Sequence, residues 1–282
     1  MSGGTAPDGA TLHQLPPLRE ALAAAGLAAD KRLGQHFLLD LNVTRKIARL
    51  AGPLEGETVI EVGPGPGGLT RALLEAGATV IAVEKDARFL PLLDEIAAHA
   101  AGRLTIVRAD ALDPPPGALP AGAIIVANLP YNVATPLLVQ WLTGPLNPKS
   151  MTLMFQKEVA QRIAAAPGGK LYGRLSVLAQ ALTEARIVLD LPARAFTPPP
   201  KVDSAVVRLT PRADRPDAAL VTALERVTRE AFGQRRKMLR SSLRAQGGEA
   251  LCAAAGIDPN ARAETVGVEG FLRLAGLIPP VA

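Results

Sequence analysis

Asn128-Leu129-Pro130-Tyr131 is the stretch whose residue types could do chemistry together. It follows a continuous apolar run, Ala123-Ile124-Ile125-Val126-Ala127, of the kind that forms a strand covered on both faces. An amide, a rigid carbonyl and an aromatic ring in sequence suit the grip of a flat base with an exocyclic amine, adenine above all. Such an amine is a poor nucleophile, because its lone pair is delocalised into the ring. The Asn128 side-chain oxygen and the Pro130 carbonyl could each accept one N–H bond. That favours a pyramidal nitrogen with its lone pair aimed at an electrophile. Tyr131 could stack on the base, worth roughly 1–3 kcal/mol. The competing reading is a strand-end Asx turn followed by a buried tyrosine.

Open parallel sheets bind ligands beyond the carboxyl ends of their strands, and the other strand ends are consistent with a site there. A strand over 58–62 runs into Gly63-Pro64-Gly65-Pro66-Gly67-Gly68, in which Gly63, Gly65 and Gly68 match G-x-G-x-x-G. Such glycines allow close backbone approach to a ligand, or simply a tight turn. The strand over 79–83 ends at Glu84, 21 residues after Gly63. Glu84 could accept from both ribose hydroxyls of an adenosine, or be a solvated carboxylate beside Lys85. Asp110, after the strand over 104–107, could accept from an adenine amino group or serve as a cap. With Asn128 these residues describe an adenosine pocket beside a second polar site. Phe196 precedes Thr197-Pro198-Pro199-Pro200-Lys201, which the prolines hold extended. Phe196 could close the other face of the same base while Lys201 reaches a phosphate. Equally, the segment could be a stiff linker with Phe196 in the core.

These positions require a scaffold, and the alternation of strands and helices predicts one: a Rossmann-like α/β fold with a doubly wound, mostly parallel sheet. Residues 1–17 carry Gly, Pro and Ser without periodicity and read as unstructured. Helices are predicted over 18–29, 40–51, 69–76, 87–100, 135–142 and 174–182. Later strands are predicted over 150–155, 186–191 and 205–209. Beyond residue 211 the pattern turns helical only, over 218–232, 236–244 and 269–277. The expected organisation is an extension over 1–30, a catalytic domain over 31–210 and a small helical domain over 211–282.

The chain has 282 residues, 48% hydrophobic and 3% aromatic, enough for one large domain and a small one. One cysteine, Cys252, excludes an internal disulfide framework, and the scattered His13, His36 and His99 predict no metal site. The absence of a long apolar run and of a leader-like N-terminus predicts a soluble cytoplasmic protein. The net charge of +5 is unevenly placed. Residues 1–185 hold 16 Lys+Arg and 16 Asp+Glu, whereas residues 186–282 hold 15 and 10. Arg235, Arg236, Lys237, Arg240 and Arg244 crowd one stretch, and 236, 240 and 244 would line one helical face. That face reads as a phosphate-contact surface, or as a solvated charged helix.

Taken together these residues resemble the KsgA-type small-subunit ribosomal RNA adenine dimethyltransferases. The resemblance rests on 34–38 (GQHFL), 61–65 (EVGPG) with Leu69-Thr70, 128–132 (NLPYN) and 135–137 (TPL). It extends through 156–159 (QKEV), 172–177 (YGRLSV), 196–209 (FTPPPKVDSAVVRL), 231–243 (AFGQRRKMLRSSL) and 256–259 (GIDP). It implies S-adenosylmethionine as methyl donor, held by His36, Leu38, Gly63, Gly65, Glu84, Asp110 and Asn128. Beside it stand the residue-level readings: catalytic roles for Asn128, Pro130, Tyr131 and Phe196, and RNA contact by Lys201, Arg235, Arg236, Lys237, Arg240 and Arg244. The implied reaction is dimethylation of the N6 amines of two adjacent adenosines near the 3′ end of 16S rRNA, with a role in subunit biogenesis. The expected partner is that RNA in an assembled or near-assembled small subunit, and the expected state is a monomer. His36 departs from the Asn found in some members. A nicotinamide dehydrogenase leaves the tetrapeptide and the basic tail without a role. A DNA or protein amine methyltransferase, the large-subunit macrolide-resistance enzyme and a non-catalytic assembly factor are the remaining rivals.

Overall fold

The computed structural model describes residues 11–30, 34–234 and 236–279. Seven strands form one sheet in the order β3-β2-β1-β4-β5-β7-β6. They are β1 (Thr58–Val62), β2 (Thr79–Glu84), β3 (Leu104–Arg108), β4 (Ile124–Asn128), β5 (Ser150–Gln156), β6 (Thr183–Leu191) and β7 (Ser204–Pro211). Strands β1 to β5 pair in parallel. The central strands carry apolar runs because helices cover both faces: Val59, Ile60, Ile125 and Val126 are fully buried. The strand order reverses between β1 and β4, and a crevice opens at such a switch point.

The helices are α1 (Leu18–Ala24), α2 (Leu41–Leu50), α3 (Gly68–Glu75), α4 (Leu90–Ala98), α5 (Tyr131–Thr143), α6 (Lys157–Ile163) and α7 (Arg174–Leu182). They continue with α8 (Ala218–Gly233), α9 (Leu239–Ser242), α10 (Gly248–Ala254) and α11 (Val268–Gly276). The chain divides into two compact units. The first takes Met1–Lys157 and Val188–Arg208, and the second takes Glu158–Ile187 and Leu209–Ala282. In the second, α7, α8 and α11 enclose Leu224, Val227 and Leu274, and the Phe232 and Phe271 rings lie 5.4 Å apart.

Several elements differ from the sequence expectation. Residues 11–17 are not structureless: Leu15 is buried in the first unit's core, Leu12 packs beside it, and Arg71 donates to the Pro16 carbonyl at 2.7 Å. The helix expected from Thr135 begins one turn earlier, at Tyr131. Thr135-Pro136 mimics a helix start, but the Pro130 carbonyl already accepts from Val133 and Ala134 N–H, both at 3.1 Å. The short helices α6 and α10 escaped the periodicity reading.

The helix expected over 236–244 shrinks to the single turn of α9. Met238 bridges Arg262, Leu239 N–H donates to the Ala261 carbonyl, and Arg240 N–H donates to the Pro259 carbonyl. Those outside bonds hold the backbone before α9 extended. A separate 3-10 turn, Arg244–Gln246, follows α9, and Gly247, with φ of 110°, ends it. Arg236, Arg240 and Arg244 therefore do not form one helical stripe. Arg235 lies outside the described residues.

Candidate active site

The crevice at the switch point holds a cavity of about 420 Å³, bordered by residues 34–38, 61–66, 68–69, 83–87, 109–111 and 128–133. All of these belong to the first unit. The size suits a nucleoside-sized ligand.

The glycine loop forms its floor. Gly63, Gly65 and Gly67 adopt φ of 67°, 53° and 83°, and Gly67 caps α3 in a left-handed conformation that a side chain would strain. A Cβ on Gly65 would lie 3.2 Å from the Phe37 ring, and one on Gly68 would lie 2.7 Å from the Leu38 carbonyl. At Gly65, Gly67 and Gly68 the loop thus has room for backbone only.

Glu84, at the end of β2, is buried, and its carboxylate is held by main chain. Gly65 N–H donates to one oxygen at 3.0 Å and Asp86 N–H to the other at 2.7 Å. Burial pushes its pKa up, against the pull of those two N–H groups. Each oxygen keeps a lone pair, as two ribose hydroxyls would require. Asp110 also borders the cavity but is far more open. Lys85 Nζ sits 2.7 Å from one oxygen and Leu112 N–H donates to the other at 3.0 Å. The Lys85 bond, then the Leu112 N–H, lower its pKa. Asp110 is thus a turn residue that also borders the cavity.

Asn128 donates from Nδ2 to the His36 carbonyl at 3.2 Å. That bond fixes the amide so that Oδ1 is the atom left to accept. His36 is fixed in turn: its Nδ1 lies 2.8 Å from the Pro198 carbonyl, and Phe37 and Thr197 exchange backbone bonds of 3.0 and 2.9 Å. The Tyr131 ring lies 5.7 Å from the His36 ring at 30°, and its hydroxyl meets Ser204 Oγ at 2.7 Å. Burial raises the Tyr131 pKa.

Two expectations, for Pro130 and Phe196, are corrected by this geometry. The Pro130 carbonyl is consumed by the two N–H groups that open α5. The neighbouring Leu129, also on the cavity border, has a carbonyl that meets no donor among the described residues. Phe196 does not border the cavity: it is 2% exposed and packs with Leu38, Leu191 and Val206 in the apolar core. Its adjacent residues tie down the His36 segment, so the proline-rich stretch contributes backbone rather than a ring. Lys201 is exposed and lies outside the border.

Glu61 was not singled out as a site residue, yet it borders the cavity while only 1% exposed. Thr70 Oγ1 donates to it at 2.6 Å, and burial lifts its pKa to about 8, leaving it mostly protonated at neutral pH. A carboxylate inside an otherwise apolar strand was the available signal. Gln35 and Asp86 had no such signal, since their pairing at 2.9 Å spans 51 residues of chain.

In the second unit, Lys237, Arg240 and Arg244 surround a shallow concavity with Gln234, Ser241, Gly247, Gly248 and Glu249. Arg236, Lys237, Arg240 and Arg244 are exposed, and none forms an ion pair among the described residues. No group of three or more His, Cys, Asp or Glu side chains among the described residues is placed to hold a metal ion. No described helix is long and apolar enough to cross a membrane.

Comparison with known proteins gives a consistent set of relatives. The profile of the ribosomal RNA adenine dimethylase family matches residues 26–279. A protein from Phenylobacterium zucineum named ribosomal RNA small subunit methyltransferase A is 68% identical over 267 residues, covering 94% of this chain and 93% of its own length. Its namesake from Caulobacter vibrioides is 67% identical over 248 residues, covering 88% and 96%. Among solved structures, a dimethyladenosine transferase from Plasmodium falciparum aligns with a TM-score of 0.73 at 24% identity, over 85% of this chain and 96% of that one. The 23S rRNA methyltransferase ErmE aligns with a TM-score of 0.66 at 30% identity, over 86% and 99%.

Proposed function

The chain belongs to the ribosomal RNA adenine dimethylase family, and from that premise we propose that it dimethylates the N6 amines of two adjacent adenosines near the 3′ end of 16S rRNA. The methyl donor is S-adenosylmethionine, and the modification serves small-subunit biogenesis. The observation that carries the reading is the orientation of Asn128. Its Nδ2 is spent on the His36 carbonyl, so Oδ1 is reserved for an incoming N–H.

The cavity suits the donor. The side-chain-free loop at Gly63 and Gly65 admits close backbone approach, Glu84 keeps two lone pairs for ribose hydroxyls, and Asp110 stands by for the donor's adenine amine. The donor, when bound, supplies an electrophilic methyl group on a sulfonium. The chain's own work is to prepare the nucleophile. Asn128 Oδ1 and the Leu129 carbonyl each accept one N–H of the target amine, which draws its lone pair out of conjugation and aims it. Tyr131 supplies a stacking face, held by its bond to Ser204. The adenosine reaches the cavity only if extruded from its helix, so recognition rests on RNA shape and backbone. Lys237, Arg240 and Arg244 are suited to phosphate contact.

The test is to incubate the protein and labelled donor with undermethylated small and large subunits and to map the modified adenines. Label at two adjacent adenines near the 3′ end of 16S rRNA is expected. Label on the large subunit, or none, overturns the reading.

A further inference from the structure

Gln35, Asp86 and Arg88 form a network beside the cavity that the methyl-transfer chemistry does not use. The Asp86 carboxylate accepts from Gln35 Nε2 at 2.9 Å and from Arg88 Nε and Nη2. Arg88 also reaches Gln35 Oε1 at 3.3 Å and the Ala28 carbonyl at 3.5 Å. Gln35 Oε1 further accepts the Asp30 N–H at 2.9 Å. These bonds join the chain that precedes His36 to the chain that follows β2. Gln35 and Asp86 border the cavity, whereas Arg88 does not.

The network reaches Glu84 through one backbone bond. Asp86 N–H makes the shorter of the two main-chain bonds, 2.7 Å against 3.0 Å from Gly65, that hold the Glu84 carboxylate oxygens. If the Asp86 turn shifts, Glu84 stays buried but loses the backbone donor that does most to favour its ionised form. Burial then favours the protonated acid, which accepts hydroxyl protons less well. The Asp86 carboxylate is itself firmly ionised: Arg88, then Gln35, hold its pKa near 2. On the opposite side the same network holds Gln35, whereas His36, which orients Asn128, has separate anchors in the Pro198 carbonyl and the Phe37–Thr197 backbone pair.

We propose that Gln35, Asp86 and Arg88 are positioning residues for the methyl donor, locking Glu84 and the Gln35 backbone around the adenosine end of the cavity. The proposal rests on the methyl-donor reading of that cavity. Because the network touches no reacting atom, its loss falls on donor affinity and release rather than on the transfer step. Two methyls on each of two adenosines require repeated exchange of spent for fresh donor, so the release rate governed by this network bears on every round.

The test compares wild type with Arg88→Ala, Arg88→Lys and Asp86→Ala. Arg88 is half-exposed, so its removal leaves the core intact. The readouts are calorimetric binding of S-adenosylmethionine, the dissociation rate of S-adenosylhomocysteine, and KM for the donor against kcat. Arg88→Ala is expected to raise donor Kd and KM about fivefold to tenfold and to speed release in proportion, with kcat within about twofold. Asp86→Ala should do at least as much, and Arg88→Lys should recover part of the loss. Unchanged donor KM, or a fall in kcat at constant KM, overturns the proposal. Failure of the wild-type protein to bind the donor at all would instead overturn the methyl-donor reading beneath it.

Discussion

At the end of β4, the polar groups are tied before any ligand arrives: Asn128 to the His36 carbonyl, Tyr131 to Ser204, His36 to the Pro198 carbonyl. Around α9 the opposite holds. Lys237, Arg240 and Arg244 are exposed and share no ion pair among the described residues. On the proposed function the two regions solve different problems. Aiming a lone pair tolerates little misplacement, so its groups are held by backbone bonds in partial burial. Attracting a polyanion needs charge left unpaired in water, where geometry matters less and salt matters more.

The largest effect should come from the tied region. Asn128→Ala is expected to lower kcat by about 10²–10³, with affinity for the small subunit within about twofold. A matching loss of subunit binding would erase the contrast between the regions. Next, Lys237→Glu with Arg240→Glu should weaken subunit binding by about tenfold or more and flatten its dependence on log salt. Turnover per bound subunit should hold, and an unchanged salt slope would return these cations to ordinary surface charge. Smaller again is Tyr131→Ala, expected to cost roughly 1–3 kcal/mol in kcat/KM, whereas Tyr131→Phe keeps the ring and should stay within about threefold. Equal losses in both would assign the role to the hydroxyl and Ser204 instead of stacking.

The least effect on turnover belongs to Glu61. Its pKa rises from 4.5 to about 8 on folding, so the unfolded chain releases that proton first. Stability tied to Glu61 is therefore present below about pH 4.5 and declines as pH rises to about 8. Glu61→Gln should flatten the fall in melting temperature between those values. An unaltered pH profile would show that Glu61 is ionised in the folded protein.

Much of the catalytic half was legible because parallel strands buried on both faces must be apolar throughout. Thr58–Val62 and Arg174–Leu182 were read with their observed bounds. The glycine loop, Glu84, Asp110 and Asn128 follow from the strand ends, and the cavity brings them together. The basic segment failed for a reason internal to periodicity: spacing of four is necessary for a helical face but does not exclude tertiary partners for the backbone. Bonds to the Pro259 and Ala261 carbonyls claimed that backbone. Phe196 failed similarly, since an aromatic next to prolines packs in a core as readily as it lines a pocket.

By itself the sequence determined the alternating sheet, the glycine turn after β1 and the identity of the tetrapeptide at the end of β4, because local pattern and burial dictate these. Only tertiary structure decided which of the tetrapeptide's acceptors are free. The start of α5 takes the Pro130 carbonyl and leaves that of Leu129, while the His36 carbonyl turns the Asn128 amide. Hydrogen-bond capacity is finite, and which partner claims each atom depends on segments distant in the chain, as Asn128 and His36 are by 92 residues.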